Sequence, residues 1–176
     1  ESAGEIARKA LRVNLSDLAA MGASPRYYLL SLALPDGTEG AWLRGFAEAL
    51  AGEQRTFGVV LVGGDTVATG GPLVVGMTAV GQVRIGAALR RSGAVADDII
   101  YVSGTIGDAA FGLALEQGGR QGVDDATLGD EQAAWLRGRY RLPEPRCELG
   151  AALVGYASAA IDVSDGLVAD LGHVCA

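Results

Sequence analysis

The start of the chain predicts one long helix with a face made for burial. Ser2 and Glu5 form the S-x-x-E pattern, in which each side chain caps the backbone N–H of the other residue. Apolar residues then recur at three- and four-residue spacing, as on the buried face of a helix. They are Leu11, Leu15, Leu18 and Ala19. Gly22 favours a left-handed helix end and Pro25 blocks continuation, so we expect the helix to end near Met21.

Asp17 is the unusual residue of this helix. An acid has low propensity for the interior of a helix that is rich in Ala and Leu. Asn14 lies three residues before it on an adjoining stripe, with Ser16 between them. Asp17 therefore either faces solvent or has a chemical role. The helix alone favours solvent exposure, whereas two further Asp motifs downstream favour a role.

The composition is that of a globular protein and excludes two classes of partner. The 176 residues can form one domain or two small ones. They are 49% hydrophobic with 27 glycines and 6% aromatic residues, which is typical of an α/β protein and not of a disordered or fibrous chain. The formal net charge of -7 argues against nucleic acid and anionic membranes, both of which need a basic patch. Acidic side chains attract cations instead.

We expect neither a membrane span nor a disulfide. The run from Thr66 to Val83 is uncharged and long enough to span a membrane, but glycines and Pro72 interrupt it. We recognise no signal peptide. Cys147 and Cys175 lack the spacing of a metal or redox motif, so we expect reduced packing residues in a cytoplasmic protein.

Strand and helix patterns alternate along the chain, which predicts an α/β fold. We expect strands at 27–34, 58–62, 73–83, 98–103 and 159–163. We expect further helices around 42–50, 108–117, 131–140, 147–158 and 165–176, and a surface loop at 118–129. A polar connection near Arg84 divides the chain into domains at 1–83 and 84–176. The chain starts without Met and its last helix has no cap, so we expect a fragment lacking both ends.

Two Asp motifs follow predicted strands. In Gly63-Gly64-Asp65-Thr66 the glycines let the backbone approach a ligand and the Asp can hold a metal ion; the alternative is an ordinary turn after a strand. In Asp162-Val163-Ser164-Asp165-Gly166 the two acids can converge on a hard cation. Here the alternative is that Ser164 or Asp165 caps the last helix, which leaves Asp162 unexplained.

Three other features have weaker support for a chemical role. The loop Gly104-Thr105-Ile106-Gly107-Asp108 can present N–H groups to phosphate, but it matches neither established glycine-rich nucleotide motif, and Asp108 can simply cap the next helix. Arg91 offers a planar fork of donors to phosphate, although its chemistry alone favours a solvated surface residue. His173 has no partner in a recognisable triad, so we expect it on the surface.

The acids of these motifs form a set of oxygen ligands without His or Cys. They are Asp17, Asp65, Asp162 and Asp165. Such a set suits Mg²⁺ that bridges phosphates and does not suit zinc. It indicates phosphoryl transfer, a reaction in which the protein mainly positions the groups and neutralises charge.

Five segments of the chain together resemble the motifs of a known enzyme family. They are VNLSDLAAMGASP, LVGGDT, ALRRSG, YVSGTIGDAAFGLAL and IDVSDGLVADL, in this order from Val13 to Leu171. The chain resembles the thiamine-monophosphate kinases, of the aminoimidazole ribonucleotide synthetase-like superfamily. The resemblance implies a two-domain fold of that type, with mixed sheets covered by helices. It also implies a homodimer formed through the sheet of the first domain.

The resemblance further implies ATP-dependent phosphorylation of thiamine monophosphate to thiamine diphosphate. The matching positions imply Mg²⁺ at Asp17, Asp65, Asp162 and Asp165, and ATP at Gly64, Asp65, Arg91 and Ser164. A substrate phosphate is already an anionic nucleophile, so electrostatic catalysis by Mg²⁺ and Arg91 needs no acid–base residue. The alternatives are a sibling enzyme that uses ATP to activate another substrate, and an inactive nucleotide-binding dimerisation scaffold. The family's remaining metal- and substrate-binding segments would lie outside these residues.

Overall fold

The computed structural model describes residues 1–118 and 128–176. The first half contains α1 (Ala3–Ala20), β1 (Ser24–Pro35), α2 (Gly40–Phe57), β2 (Val60–Thr69) and β3 (Val74–Gln82). A short 3₁₀ helix (Arg91–Gly93) precedes α3 (Asp108–Glu116), α4 (Asp130–Arg141), α5 (Cys147–Leu153) and α6 (Leu167–Cys175). Among these described helices, none is long and apolar enough to cross a membrane.

The predicted long helix is confirmed in its start, its end and its buried face. Ser2 N–H donates to Glu5 Oε2 (2.7 Å), and Glu5 N–H donates to Ser2 Oγ (3.2 Å). Met21 is the C-terminal cap, and Gly22 follows it with φ 69°. The buried residues are Ala7, Leu11, Leu15 and Ala19. A capping box and a helical period in the sequence were sufficient to define this element.

The first half of the chain forms a three-stranded mixed sheet. The strand order is β2-β1-β3, with β1 parallel to β2 and antiparallel to β3. A parallel pair needs a crossover connection, and α2 supplies it between β1 and β2. The α/β fold class predicted from the sequence is therefore confirmed, with a mixed sheet and six helices in the described residues.

Helices α1 and α2 cover one face of this sheet and build the core. The buried cluster consists of Ala7, Leu11, Leu15, Tyr28, Leu32, Phe46, Leu50 and Val59. Full burial of each large apolar side chain contributes about 1.5–3 kcal/mol. Side chains on alternate positions of the strands point to the opposite face of the sheet. In the part of the chain that the structure describes, that face remains open.

A partly buried ion pair joins α1 to α2. Arg12 Nε donates to Glu53 Oε2 (2.7 Å) and its Nη2 donates to Glu53 Oε1 (3.0 Å). The Glu53 residue is 5% exposed, and two donors of the same guanidinium satisfy its carboxylate. Arg12 Nη1 also donates to the backbone oxygen of Pro143 (3.4 Å), so the same side chain reaches the second half of the chain.

The second half packs on α1 rather than on the sheet alone. Helix α3 packs against α4, and α5 packs against α1 and β1. Gly150 of α5 lies so close to α1 that an added Cβ would overlap the carbonyl oxygen of Ala19. Arg141 at the end of α4 forms ion pairs with Glu5 (3.2 Å) and Glu116 (2.9 Å). Helix α1 is thus the element that both halves share.

Two predicted strands are not formed. Residues 98–103 and 159–163 have no strand pairing, and Ile99, Ile100 and Tyr101 are exposed. An apolar run becomes a strand when a neighbour accepts its ladder of hydrogen bonds. No neighbouring strand is present for them among residues 1–118 and 128–176. The two segments are apolar, but their assignment to strands is wrong.

Two predicted boundaries also differ from the structure. Strand β2 was expected at 58–62 and to be buried, but it continues to Thr69 and its residues 60–68 are exposed. Helix α5 was expected to reach Ser158 but ends at Leu153, because Val154 is extended and Gly155 is left-handed with φ 88°. Most of the loop predicted at 118–129 lies outside the described residues.

Gly64 provides a test of how closely β1 and β2 approach each other. It has φ 144°, and a Cβ at this position would overlap the Leu30 carbonyl oxygen. We expect Gly64→Ala to lower the free energy of unfolding by about 3 kcal/mol, from backbone strain and overpacking. Gly63→Ala is the matched control, because its Cβ would meet only Leu29 Cδ2 at 3.4 Å. Equal urea midpoints for the two variants would contradict this account.

Candidate functional site

The second half of α1 meets the segment before α6. Ser16 Oγ–H donates to Asp162 Oδ2 at 2.9 Å, across 146 residues of sequence. Leu15 and Ala19 are buried on the core side of the helix, which leaves Ser16 and Asp17 on the side of this segment. Two of the four predicted acidic ligands, Asp17 and Asp162, are therefore neighbours.

The two carboxylates repel each other. Partial burial raises the pKa of the Asp17 carboxyl, and the negative charge of Asp162 raises that pKa further. In the described part of the chain, neither Asp17 nor Asp162 has a Lys or Arg within ion-pair distance. A pair of acids without a compensating base fits a bound divalent cation, which favours the ionised form of both.

The segment from Ser164 to Gly166 is held by a residue that the sequence analysis missed. Asp170 is 4% exposed, and its Oδ2 accepts the backbone N–H groups of Ser164 (2.9 Å), Asp165 (3.1 Å) and Gly166 (3.2 Å). Gly166 is the N-terminal cap of α6, and as a glycine it has no side chain to accept a hydrogen bond from the first turn. The alternative in which Ser164 or Asp165 caps the helix is therefore wrong. The sequence signal that could have identified Asp170 is an acid among apolar residues in the first turn of a helix.

Asp65 lies apart from this pair in the described structure. It is part of β2, it pairs in register with Ser31 of β1, and its Oδ1 accepts the N–H of Thr66 (2.8 Å). The alternative of a strand that turns at Gly63-Gly64 is wrong, because the strand continues through these residues. Among residues 1–118 and 128–176, no three His, Cys, Asp or Glu side chains form a group that could hold a metal. The joint binding site of four acids stays a prediction.

Of the remaining candidates, Arg91 and His173 are exposed and Asp108 is partly buried. Gly107, with φ 99°, is the cap of α3, so Asp108 is not the cap but the first helical residue, and Thr105 Oγ–H donates to its carboxylate. Arg91 is exposed in the 3₁₀ helix, which packs against α6. This places Arg91 beside the helix that follows Asp165. His173 is exposed in the last turn of α6, as predicted.

Known proteins resemble this chain in both sequence and fold. Residues 1–83 match the family model described as AIR synthase related protein, N-terminal domain. Thiamine-monophosphate kinase of Escherichia coli (strain K12) is 49% identical over 170 residues, covering 97% of this chain and 50% of that protein. The crystal structure of thiamine-monophosphate kinase from Stenotrophomonas maltophilia K279a has a TM-score of 0.86 at 47% identity, covering 98% of this chain and 54% of that one. The structure of AaThiL complexed with AMPPCP and TMP has a TM-score of 0.86 at 29% identity, covering 99% and 53%.

Over nearly its whole length, this chain is similar to one half of the thiamine-monophosphate kinases. The five motifs from Val13 to Leu171 lie within the matched region. The chain spans about half the length of the curated relatives that it matches.

The cysteines have different roles from each other. Both are free. Cys147 packs against the core, and burial raises the pKa of its thiol, so the thiol stays protonated. Cys175 is exposed in the last turn of α6. The packing role predicted for both residues is confirmed for Cys147 and wrong for Cys175.

The repulsion between Asp17 and Asp162 predicts that a neutral side chain stabilises the ligand-free protein. Because the folded-state pKa of Asp17 is raised, its ionisation destabilises the folded form as the pH rises through that pKa. We expect Asp17→Asn to raise the midpoint of thermal unfolding at pH 7 by about one or two degrees. The gain should vanish below about pH 4, where Asp17 of the wild type is also protonated.

The measurement is a series of thermal unfolding curves from pH 3.5 to 8 without divalent cations. Glu48→Gln is the matched control, since Glu48 is an exposed acid in the middle of α2. A wild-type protein as stable as Asp17→Asn throughout this range would show that the two carboxylates do not repel each other.

Proposed function

We propose that the protein that carries this chain transfers the γ-phosphoryl group of ATP to thiamine monophosphate. The products are thiamine diphosphate and ADP. The 49% identity to the thiamine-monophosphate kinase of Escherichia coli (strain K12), over 97% of the chain, supports this reaction. The residues that support the proposal are Asp17 and Asp162, a pair of acids with no Lys or Arg beside them in the described residues. Their negative charge can hold the cation that a phosphoryl-transfer site needs.

The acids are the proposed Mg²⁺ ligands. Asp17 and Asp162 are adjacent and hold the first ion, while Asp65 and Asp165 provide further carboxylates. Their oxygen chemistry suits Mg²⁺, which is bound through few carboxylates together with phosphate oxygens and water. When bound, Mg²⁺ supplies positive charge to the phosphates of ATP. Since part of its coordination shell comes from the nucleotide, the chain need not assemble a complete cage.

Other residues are proposed to hold the nucleotide. The close approach of Gly64 to β1 leaves room for backbone but not for a side chain, and Asp65 follows directly. Arg91 carries an exposed guanidinium beside α6, and Ser164 presents an exposed side chain just before that helix. Arg91 balances the charge of the phosphates, and Ser164 donates a hydrogen bond.

The transfer itself needs no general base. A phosphate oxygen of thiamine monophosphate attacks the γ-phosphorus of ATP, and the bond from that phosphorus to the β–γ bridging oxygen breaks. The attacking oxygen is already ionised at neutral pH, so there is no proton to remove. Positioning and charge neutralisation are then the main contributions of the protein. We also propose that the reaction takes place in the cytoplasm. The proposed domains are residues 1–83 and 84–176.

Replacement of Asp162 tests the reaction. We expect Asp162→Asn to lower kcat/KM by at least about a hundredfold, because removing one charge-stabilising group costs two to three orders of magnitude. The complete protein is incubated with Mg-ATP and thiamine monophosphate, and thiamine diphosphate and ADP are quantified by chromatography. Asp130→Asn is the matched control, since Asp130 is an exposed acid in the first turn of α4.

Each outcome of this assay has a distinct meaning. Equal amounts of both products from the wild type, lost with EDTA and with Asp162→Asn, support the kinase reaction and the metal site. ADP without thiamine diphosphate would assign the ATP chemistry to another substrate. Neither product from the wild type would leave a nucleotide-binding scaffold. Full activity of Asp162→Asn would contradict the proposed ligand.

The open face of the sheet supports the proposed homodimer. Strand register places six apolar residues on this face, all between 42% and 55% exposed. They are Tyr27, Leu29, Val60, Val67, Val74 and Val80. The same register places Ser31, Asp65 and Thr78 between these apolar residues. An exposed, largely apolar sheet face indicates an interface, and a second copy of the same sheet offers a self-complementary partner.

A charge in the centre of this face should separate the subunits. We expect Leu29→Asp to convert a dimer to a monomer and to raise the dissociation constant by at least about a hundredfold, because an unpaired carboxylate would be buried in the interface. Sedimentation equilibrium measures the change. Ile85→Asp introduces the same charge at an exposed residue of the connection after β3 and should leave the dimer intact. A monomeric wild type would exclude the homodimer.

A further inference from the structure

Asp170 is a buried carboxylate to which neither the motifs nor the proposed reaction assigns a role. It is 4% exposed in the first half of α6. Among residues 1–118 and 128–176 it has no Lys or Arg within ion-pair distance. An ionised carboxylate is costly to bury unless hydrogen bonds replace its water. The groups that hydrogen-bond to Asp170 in place of water therefore indicate its role.

Three consecutive backbone N–H groups surround one oxygen of this carboxylate. Asp170 Oδ2 accepts from Ser164 at 2.9 Å, from Asp165 at 3.1 Å and from Gly166 at 3.2 Å. Hydrogen bonds to an ionised acceptor are stronger than those to a neutral one. The positive end of the α6 dipole also favours a negative charge at this place. These contacts define the backbone path of all three residues.

The same contacts decide which groups face outward. The N–H groups of Ser164 and Asp165 point inward to Asp170, while the side chains of both residues are exposed. Two residues upstream, Ser16 Oγ holds the carboxylate of Asp162. The segment is thus fixed at its start by α1 and at its end by Asp170. The exposed side chains between these two contacts are the ones proposed to bind Mg²⁺ and ATP.

We infer that Asp170 is a positioning residue, which orients Ser164 and Asp165 toward Mg-ATP without contacting either ligand. This inference rests on the proposed function. It predicts an effect on the nucleotide and metal that does not extend to thiamine monophosphate. Loss of an outer-shell partner of this kind weakens metal binding or activity by about 10- to 100-fold.

The test compares Asp170→Ala and Asp170→Asn with Asp130→Asn in the complete protein. The first readout is the amide hydrogen exchange of residues 164–166 without ligands. The second is steady-state kinetics, with each substrate and Mg²⁺ varied in turn. We expect Asp170→Ala to lose exchange protection at these amides and to raise KM for Mg-ATP at least about tenfold. The KM for thiamine monophosphate should stay within about twofold of the wild type, since no step of this argument involves that substrate.

Asp170→Asn keeps an acceptor oxygen of the same reach and loses the charge. It should recover part of the exchange protection and part of the Mg-ATP affinity, and it remains informative if the Ala variant does not fold. Asp130→Asn should match the wild type in both readouts.

Three results would overturn the inference. They are unchanged exchange at residues 164–166 in Asp170→Ala, unchanged KM for Mg-ATP despite lost protection, and an equal rise in KM for both substrates, which would indicate a general structural defect. If the wild type makes no thiamine diphosphate, the proposed function fails. If the wild type is active and the Asp170 variants have its KM for Mg-ATP, the positioning role alone fails.

Discussion

Burial of one stripe of α1 is the interaction on which the rest of the structure depends. Leu11 and Leu15 are completely buried, against the sheet and α2. Their burial fixes the rotation of the helix about its axis. Once this rotation is fixed, the opposite side must present Ser16 and Asp17 to the segment before α6. Packing in the core thus determines electrostatics at the proposed site, although no core residue would touch a ligand.

The sequence was sufficient wherever the local pattern and the global packing agree. Helix α1 has both a capping box and an unbroken helical period, and its predicted ends are correct to within one residue. Strand β1 was predicted at 27–34 and extends from Ser24 to Pro35. The family resemblance was visible because its motifs are short and contiguous. The pair of Asp17 and Asp162 could be suspected from two such motifs, but their adjacency needed the fold.

The sequence was insufficient where structure depends on distant neighbours. The apolar residues around Ile100 and Val163 have the composition of strands, yet pairing depends on a partner that the described residues do not supply. Asp170 resembles an ordinary acid in a helical first turn, because its burial and its three donors arise from a backbone path that no periodicity records. The continuation of β2 past Gly64 was missed because glycine pairs are typical of turns.

The hydrogen bond between Ser16 and Asp162 also bears on how the protein folds. It joins residues that are 146 positions apart in the sequence. Closing so long a loop costs chain entropy, which the packing of the second half on α1 must offset. The proposed metal site therefore exists only when both halves of the chain are folded and in contact, so nucleotide binding would report that the two halves have come together.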